Sequence, residues 1–145
     1  MPIEIRRFGV GHRRADGPPG TVAVRDQVIH SDASLTITEL AFARGGRIEP
    51  YASPNPIWFI CIEGGGWVGV GDERARVAAG EAVRWPADVP HAAWTEHSEM
   101  RAFTVEATAG DGTLEGRAVE LLADPPADRD RPRPRPIEPD AGEPA

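Results

Sequence analysis

The chain contains no lysine, and its sixteen basic residues are all arginine. Without lysine, the chain cannot form a Schiff base with a carbonyl substrate, and it lacks the phosphate-binding lysine of a P-loop. A single cysteine, Cys61, excludes an internal disulfide and any metal site built from several thiolates. The candidates for metal binding or acid–base chemistry are therefore few: His12, His30, His91 and His97.

Long hydrophobic runs are also missing. No stretch approaches the roughly 18 apolar residues of a membrane helix, and Met1–Val10 lacks the apolar core of a secretory signal. The formal net charge of -7 predicts repulsion from nucleic-acid phosphates and from anionic lipid. At 145 residues the chain has the length of one domain. We therefore expect a small cytoplasmic domain that binds neither nucleic acid nor membrane.

Two changes in composition divide the chain. Residues 1–20 combine arginine, glycine and proline without apolar periodicity, which predicts an irregular N-terminal arm. Residues 124–145 contain seven prolines and little to bury, which predicts a disordered or extended tail. The Arg-Pro alternation of Arg131–Pro136 could dock in an aromatic groove of a partner, although a solvated tail is the simpler interpretation. The central domain is expected over residues 21–123.

Within the central domain, short apolar runs are separated by Gly, Pro and Asp, which predicts an all-β sandwich or closed barrel. Leu35–Phe42 alternates with one phase slip, which predicts a β-bulge. Gly71-Asp72 has the composition of a hairpin turn. Leu114–Leu122 is the one candidate helix, and it could equally be a final strand. The other predicted strands are Ile57–Glu63, Trp67–Val70, Ala82–Trp85, His91–Thr95 and Met100–Val105.

The glycine and proline spacing from residue 45 to residue 95 resembles the paired motifs of the cupin superfamily. The first motif of that family is Gly, five residues, His-x-His, three or four residues, Glu, six residues and Gly. This chain keeps the spacing but replaces both histidines and the glutamate. The matching residues are Gly45, Tyr51, Ser53, Ile57 and Gly64.

The second cupin motif is Gly, five residues, Pro-x-Gly, two residues, His, three residues and Asn. Here the histidine is present, while aspartate replaces the inner glycine and threonine replaces the asparagine. The matching residues are Gly80, Pro86, Asp88, His91 and Thr95.

This resemblance implies a double-stranded β-helix (jelly-roll) barrel. In metal-binding members, the two histidines and the glutamate of the first motif and the histidine of the second hold a divalent ion. Of the four positions here, only His91 is an ordinary metal ligand, because the others are Tyr51, Ser53 and Ile57. We therefore expect no cofactor, with a divalent metal at His91 as the alternative. Whether Glu39 or another nearby carboxylate turns inward stays open.

Strand alternation would place side chains of both motifs in the barrel interior. They would form an apolar wall with a phenol, a hydroxyl and an imidazole, the composition of a pocket for a small organic ligand. A packed core is the alternative, but the cost of burying polar groups without a partner favours the pocket. The expected pocket residues are Tyr51, Ser53, Ile57, Phe59, Trp85, His91, Ala93 and Phe103.

The favoured function is the binding of a small, partly aromatic or carboxylate-bearing molecule. If the protein is an enzyme, His91 is the acid–base candidate and Tyr51 the proton donor, as in an isomerase or a lyase. One alternative is a metal-dependent dioxygenase or isomerase whose ligands lie at other positions. The other is a non-enzymatic sensor or interaction module that docks through its tail.

Three tryptophans, Trp58, Trp67 and Trp94, alternate with the pocket positions and are expected on the outside of the barrel. Outward tryptophans usually pack against another sheet, a tail or a second subunit. The resemblance to cupins, which commonly pair through such surfaces, implies a homodimer. The three prolines within residues 50–56 predict a stiff loop at the rim, where a ligand could enter.

Overall fold

The structure is a computed structural model that describes residues 2–107. All of its regular elements are strands, and none of the described residues forms a helix long and apolar enough to cross a membrane. The candidate helix at residues 114–122 and the proline-rich tail lie outside the described residues. The strands are β1 (Thr21–Ser31), β2 (Leu35–Tyr51), β3 (Ile57–Val70), β4 (Glu73–Ala78), β5 (Ala82–Trp85), β6 (His91–Trp94) and β7 (Met100–Ala107).

The seven strands form one antiparallel sheet that closes into a barrel. The first half of β3 pairs with β5 and β7, and its second half pairs with β4 and β6. The other long strand, β2, pairs with β1, β6 and β7. A two-residue turn at Gly71-Asp72 joins β3 to β4, as predicted. The all-β jelly-roll prediction is confirmed.

One predicted strand break is wrong. Residues 57–70 form a single strand, although three glycines at 64–66 indicated a turn between two shorter strands. Gly64 has a φ of 70°, and a Cβ atom there would lie 2.0 Å from the carbonyl oxygen of Glu99. Only glycine fits this close backbone approach, so β3 bends at this point and continues.

The bulge predicted within Leu35–Phe42 is also wrong. The pairing of this segment with β7 has no register shift, and the irregularity lies in β1, between Val28 and His30. The slip in the apolar pattern arises because β2 is covered on both faces: Leu40 faces the core, while Glu39 on the outer face is fully buried as well. The phase slip therefore does not mark an extra residue.

Alternate residues of the strands fill the barrel with apolar side chains, as expected for a small barrel. Cys61 is fully buried among them. Burial raises the pKa of its thiol to about 11, so the group stays protonated at neutral pH. Other core residues include Phe42, Ile48, Phe59, Val68, Val77, Trp85, Met100 and Ala102.

An irregular N-terminal arm precedes β1, as predicted, and its arginines attach it to the outer face of the sheet. Arg13 donates from Nε and Nη2 to the two carboxylate oxygens of Glu39, at 3.1 and 3.0 Å. Arg101 of β7 adds a third hydrogen bond to Glu39 at 3.0 Å. Burial alone would raise the pKa of Glu39, but the hydrogen bonds from the two arginines outweigh it and hold the pKa below its usual value.

The arm has two further attachments. Arg14 forms a bidentate ion pair with the buried Asp26 of β1, at 2.9 and 2.7 Å. Phe8 packs edge-on against Phe103 of β7, with 5.5 Å between the ring centroids. The arm therefore covers carboxylates and aromatic surface that the sheet would otherwise expose.

Replacing Arg13 with alanine should destabilise the fold by about 2 kcal/mol, the typical value of hydrogen bonds to a charged group. Arg101 alone would then balance the buried carboxylate of Glu39. Chemical denaturation of the full chain measures this difference. Arg44→Ala is the matched control, because Arg44 is exposed and no ion pair joins it to the described residues. An equal loss in both variants would contradict the role assigned to Arg13.

Candidate functional site

Four aromatic rings form a continuous column from the barrel core to its rim. Phe59 lies against Trp85 with 4.9 Å between ring centroids, and Trp85 stacks on His91 at 4.1 Å with an interplanar angle of 12°. Tyr51 closes the column edge-on to His91 at 4.4 Å. Strand ends position the polar members: Trp85 ends β5, His91 begins β6 and Tyr51 ends β2.

His91 is the central polar group of this column. Its side chain is almost fully buried, with 1% exposure, and neither ring nitrogen has a hydrogen-bond partner among residues 2–107. The indole Nε1 of Trp85 is likewise buried without a partner there. Desolvation lowers the pKa of His91 to about 4, so the imidazole is neutral at neutral pH. Two stacked rings inside the barrel thus carry three polar atoms without a partner among the described residues, at a free-energy cost.

A polar cluster lies at the rim beside Tyr51. Ser53 donates from Oγ to a carboxylate oxygen of Glu106 at 3.1 Å, and the side-chain amide of Asn55 donates to the same oxygen at 3.1 Å. The backbone N–H of Asn55 donates to Ser53 Oγ at 3.1 Å. This network holds the Glu106 carboxylate at the barrel mouth, next to the loop that joins β2 and β3.

The carboxylate of Glu106 also affects Tyr51. Desolvation raises the pKa of the Tyr51 hydroxyl above its usual value, and the nearby negative charge of Glu106 raises it further. Tyr51 is the least enclosed member of the column, with 46% of the residue exposed. At neutral pH it therefore presents a protonated hydroxyl, able to donate a hydrogen bond, at the entrance.

Most of the predicted pocket residues lie together inside the barrel or at its rim. Ile57 and Ala93 are buried on the inner face, and Ser53 is buried in the rim loop. The prediction for Phe103 is wrong, because Met100 and Ala102 occupy the inward positions of β7. Phe103 is directly opposite Glu39 on the outer face and contacts the N-terminal arm.

Sequence reasoning missed Glu106 and Asn55. Glu106 has the same strand phase as Met100 and is directly opposite the buried Ile57 of β3. The charge of Arg101 indicates that its face of β7 is the outer one. Glu106 lies on the other face, so the sequence contained an indication that Glu106 points inward. No comparable pattern marked Asn55, whose contact depends on the shape of the rim loop.

Two departures from the cupin-like motifs have structural explanations. Asp88, in place of glycine, has a φ of 63°, a left-handed conformation that aspartate tolerates better than most residues. Thr95, in place of asparagine, is buried and donates from Oγ1 to the carbonyl oxygen of Ala43 at 2.6 Å. Both substitutions therefore keep the scaffold intact.

Comparison with known proteins agrees with this geometry. The cupin domain family matches residues 38–106, which include both motifs. Residues 38–106 form a cupin domain. No curated protein matches the chain.

Several solved structures share the cupin fold at low sequence identity. The polyketide cyclase RemF from Streptomyces resistomycificus has a TM-score of 0.65 and 19% identity, with coverage of 74% of this chain and 80% of that chain. KdgF from a Halomonas species has a TM-score of 0.59 and 18% identity, covering 66% and 86% of the two chains. An RmlC-like cupin from Methanocaldococcus jannaschii has a TM-score of 0.60 and 17% identity, covering 74% and 92%.

The residues of this cupin do not fit the divalent metal that the fold family often holds. Of the four motif positions, Ile57 has no ligand atom, the Ser53 hydroxyl donates a hydrogen bond to Glu106, and the raised pKa of Tyr51 disfavours a phenolate. The remaining ligand is His91. Within residues 2–107, no three His, Cys, Asp or Glu side chains come together in a metal-binding group. A first-row metal needs a larger donor set than these positions supply.

The neutral state of His91 can be measured directly. Its imidazole NMR signals should titrate with a midpoint near 4, and their loss in His91→Gln identifies them. Because this folded-state pKa lies below the unfolded value of about 6.5, the native state should lose stability as the pH falls from 6.5 to 4. A midpoint close to 6.5 would contradict the desolvation of His91.

Because His91 is the one ordinary metal ligand at the motif positions, we expect a low metal content. Elemental analysis of untagged protein should find iron, manganese, nickel and zinc far below one ion per chain, with no change in His91→Ala. A polyhistidine tag must be absent, since it binds the same ions. Near-stoichiometric metal that disappears in the variant would show that ligands outside this set complete a site.

Proposed function

We propose that this cupin binds a small, neutral, partly aromatic molecule in its barrel, with a hydroxyl or carbonyl group directed at His91 and Trp85. The observation that carries the proposal is the set of three buried polar atoms on these two side chains that have no partner in the described part of the chain. Buried polar groups in native proteins nearly always have partners, and a bound ligand would supply them. The two rings offer two N–H donors and one nitrogen acceptor.

The surrounding side chains favour a flat, apolar ligand body. Phe59, Trp85 and His91 are stacked or nearly parallel, and Val70 and Val83 pack against the same core. Aromatic molecules gain free energy from such surfaces through burial and ring stacking. A ligand entering past Tyr51 would meet its hydroxyl first and the His91 imidazole next.

The charge of Glu106 narrows the ligand class further. A carboxylate-bearing ligand would approach the Glu106 carboxylate at the mouth and would be repelled. Since His91 is neutral, it offers no positive charge to compensate. A neutral phenol, enol or ketone fits the site better than the carboxylate-bearing ligand that the sequence also allowed.

Proton transfer is a second function, favoured by the contact between His91 and Tyr51. A ring nitrogen of His91 would take a proton from a carbon or hydroxyl group of the substrate, and the Tyr51 hydroxyl would donate a hydrogen bond to the oxygen that gains negative charge. The low pKa of His91 makes the imidazolium costly. The step therefore needs the negative charge developing on the substrate to stabilise the protonated ring.

A matched pair of probes tests the ligand class. We expect 2-naphthol to bind the untagged full chain at least about tenfold more tightly than 2-naphthoate, because the two differ mainly in charge. The polyketide cyclase among the structural neighbours motivates aromatic probes, since its fold is shared. Isothermal titration calorimetry measures both affinities. Glu106→Gln should narrow the difference in affinity between the two probes, because it removes the repulsion between the Glu106 carboxylate and the naphthoate.

Two further variants connect binding to His91. His91→Phe keeps the ring but removes both nitrogens, and should weaken 2-naphthol binding roughly fivefold to tenfold. His97→Phe, at an exposed loop position, should leave the affinity unchanged. The proposal would be overturned if neither probe binds, or if 2-naphthoate binds more tightly than 2-naphthol. It would also be overturned if His91→Phe and His97→Phe lose the same affinity for 2-naphthol.

The two alternatives kept from the sequence have less support. A metal-dependent enzyme requires ligands that the motif positions do not supply. A sensor that docks through its Arg-Pro run depends on residues 131–136, which lie outside the described residues.

A further inference from the structure

Two neighbouring tryptophans flanked by arginines form a row across the outer face of the barrel, on the other side of the sheet from the proposed ligand site. Trp94 and Trp67 are directly opposite each other in β6 and β3, and each has an arginine on its other side. Arg74 lies next to this row on β4. We call the set the Trp–Arg face: Arg47, Trp67, Arg74, Arg76 and Trp94.

The groups of this face are stacked. The rings of Trp67 and Trp94 are nearly parallel, with an interplanar angle of 6° and 6.2 Å between centroids. The guanidinium groups of Arg76 and Arg74 lie over Trp67, at 5.0 and 5.7 Å from its centroid. Cation–π contacts hold both guanidinium groups in place while their N–H donors remain available.

Two of the cations on this face have no acidic partner. Arg47 is paired with Glu49, whereas no ion pair joins Arg74 or Arg76 to any residue of the described 2–107 range. The whole chain is acidic, with a formal net charge of -7. A fixed pair of unpaired arginines on a half-buried indole surface is therefore a local site for an anionic, partly apolar segment.

Edge-to-edge pairing of β4 between two copies of the chain would bring the arginines of this face together. The strand that carries the two arginines, β4, pairs only with β3 among the described strands, so its other edge is open to a further strand. If β4 of two copies paired antiparallel with their outer faces aligned, Arg74 or Arg76 would stand opposite an arginine of the other copy. Like charges in directly opposite positions destabilise a strand pair.

The segment Ile137–Ala145 of this chain has the complementary chemistry. Its sequence, IEPDAGEPA, contains three carboxylate side chains, two prolines and no basic residue. Carboxylates pair with arginine, and proline rings pack on exposed indoles in proline-rich peptide recognition. The 29 residues between Ala107 and this segment span at most about 100 Å. That length exceeds the width of a domain whose radius of gyration is about 13 Å.

We propose that Ile137–Ala145 docks on the Trp–Arg face of its own chain, with carboxylates at Arg74 and Arg76 and proline at Trp67 or Trp94. The covalent connection raises the effective concentration of the segment, so that weak contacts suffice for occupancy. The acidic end of the tail, rather than its Arg-Pro run, is then the recognition element. The proposal does not depend on the ligand of the barrel.

NMR of the tryptophan side chains tests the docking. The indole N–H signals of Trp67 and Trp94, assigned with Trp67→Phe and Trp94→Phe, should differ between the full chain and a chain ending at Pro136. Adding the synthetic peptide IEPDAGEPA to the shortened chain should restore the shifts. A peptide with Gln, Asn and Gln in place of its three acidic residues should bind roughly tenfold more weakly, as two lost ion pairs imply.

Substitutions on the face complete the test. Arg74→Gln with Arg76→Gln should give the full chain the indole signals of the shortened chain, whereas Arg25→Gln with Arg44→Gln, at exposed positions elsewhere, should not. The signals of the full chain should also be independent of protein concentration. Identical indole signals in the full and shortened chains, equal binding of the two peptides, or concentration-dependent shifts that indicate docking on a second copy would overturn the proposal.

Discussion

The hydrogen-bond ladder of β3 is the constraint on which the rest of the barrel depends. This strand pairs with β5 and β7 along its first half and with β4 and β6 along its second half. Directly opposite residues of paired strands share a face of the sheet. The choice of which alternate residues of β3 face the interior therefore decides which side chains of four other strands point inward. Gly64 is the point where the strand bends from one set of partners to the other.

The same ladder assembles the site. Ile57 of β3 is directly opposite both Trp85 and Glu106, and Val70 of β3 is opposite His91. The strand β3 thus brings together Trp85, His91 and the Glu106 carboxylate at the mouth of the barrel. The resulting interior combines an apolar wall with polar atoms that have no hydrogen-bond partner within residues 2–107, and desolvation keeps His91 neutral. This combination favours hydrogen bonding to a neutral ligand over metal coordination or binding of an anion.

The outer surface of the barrel is covered by the N-terminal arm on one side and carries exposed arginines on another. Near β2 and β7, Arg13 of the N-terminal arm and Arg101 of β7 both bind the buried carboxylate of Glu39, and Phe8 of the arm packs against Phe103. Near β3 and β4, two arginines over Trp67 are left without acidic partners among the described residues. The outward tryptophans predicted from alternation are found, but the expected homodimer stays a prediction.

The sequence by itself determined the fold class, the hairpin at residues 71–72 and the shared interior of Ile57, Phe59, Trp85 and His91. These follow from strand alternation and from glycine and proline spacing, which are local properties of the chain. Tertiary structure decided the packing of Phe103 against the N-terminal arm and the contact of Glu106 with Ser53, which is 53 residues away in sequence. Such contacts depend on the pairing register and on what covers the outer face of the sheet, and no local pattern contains that information.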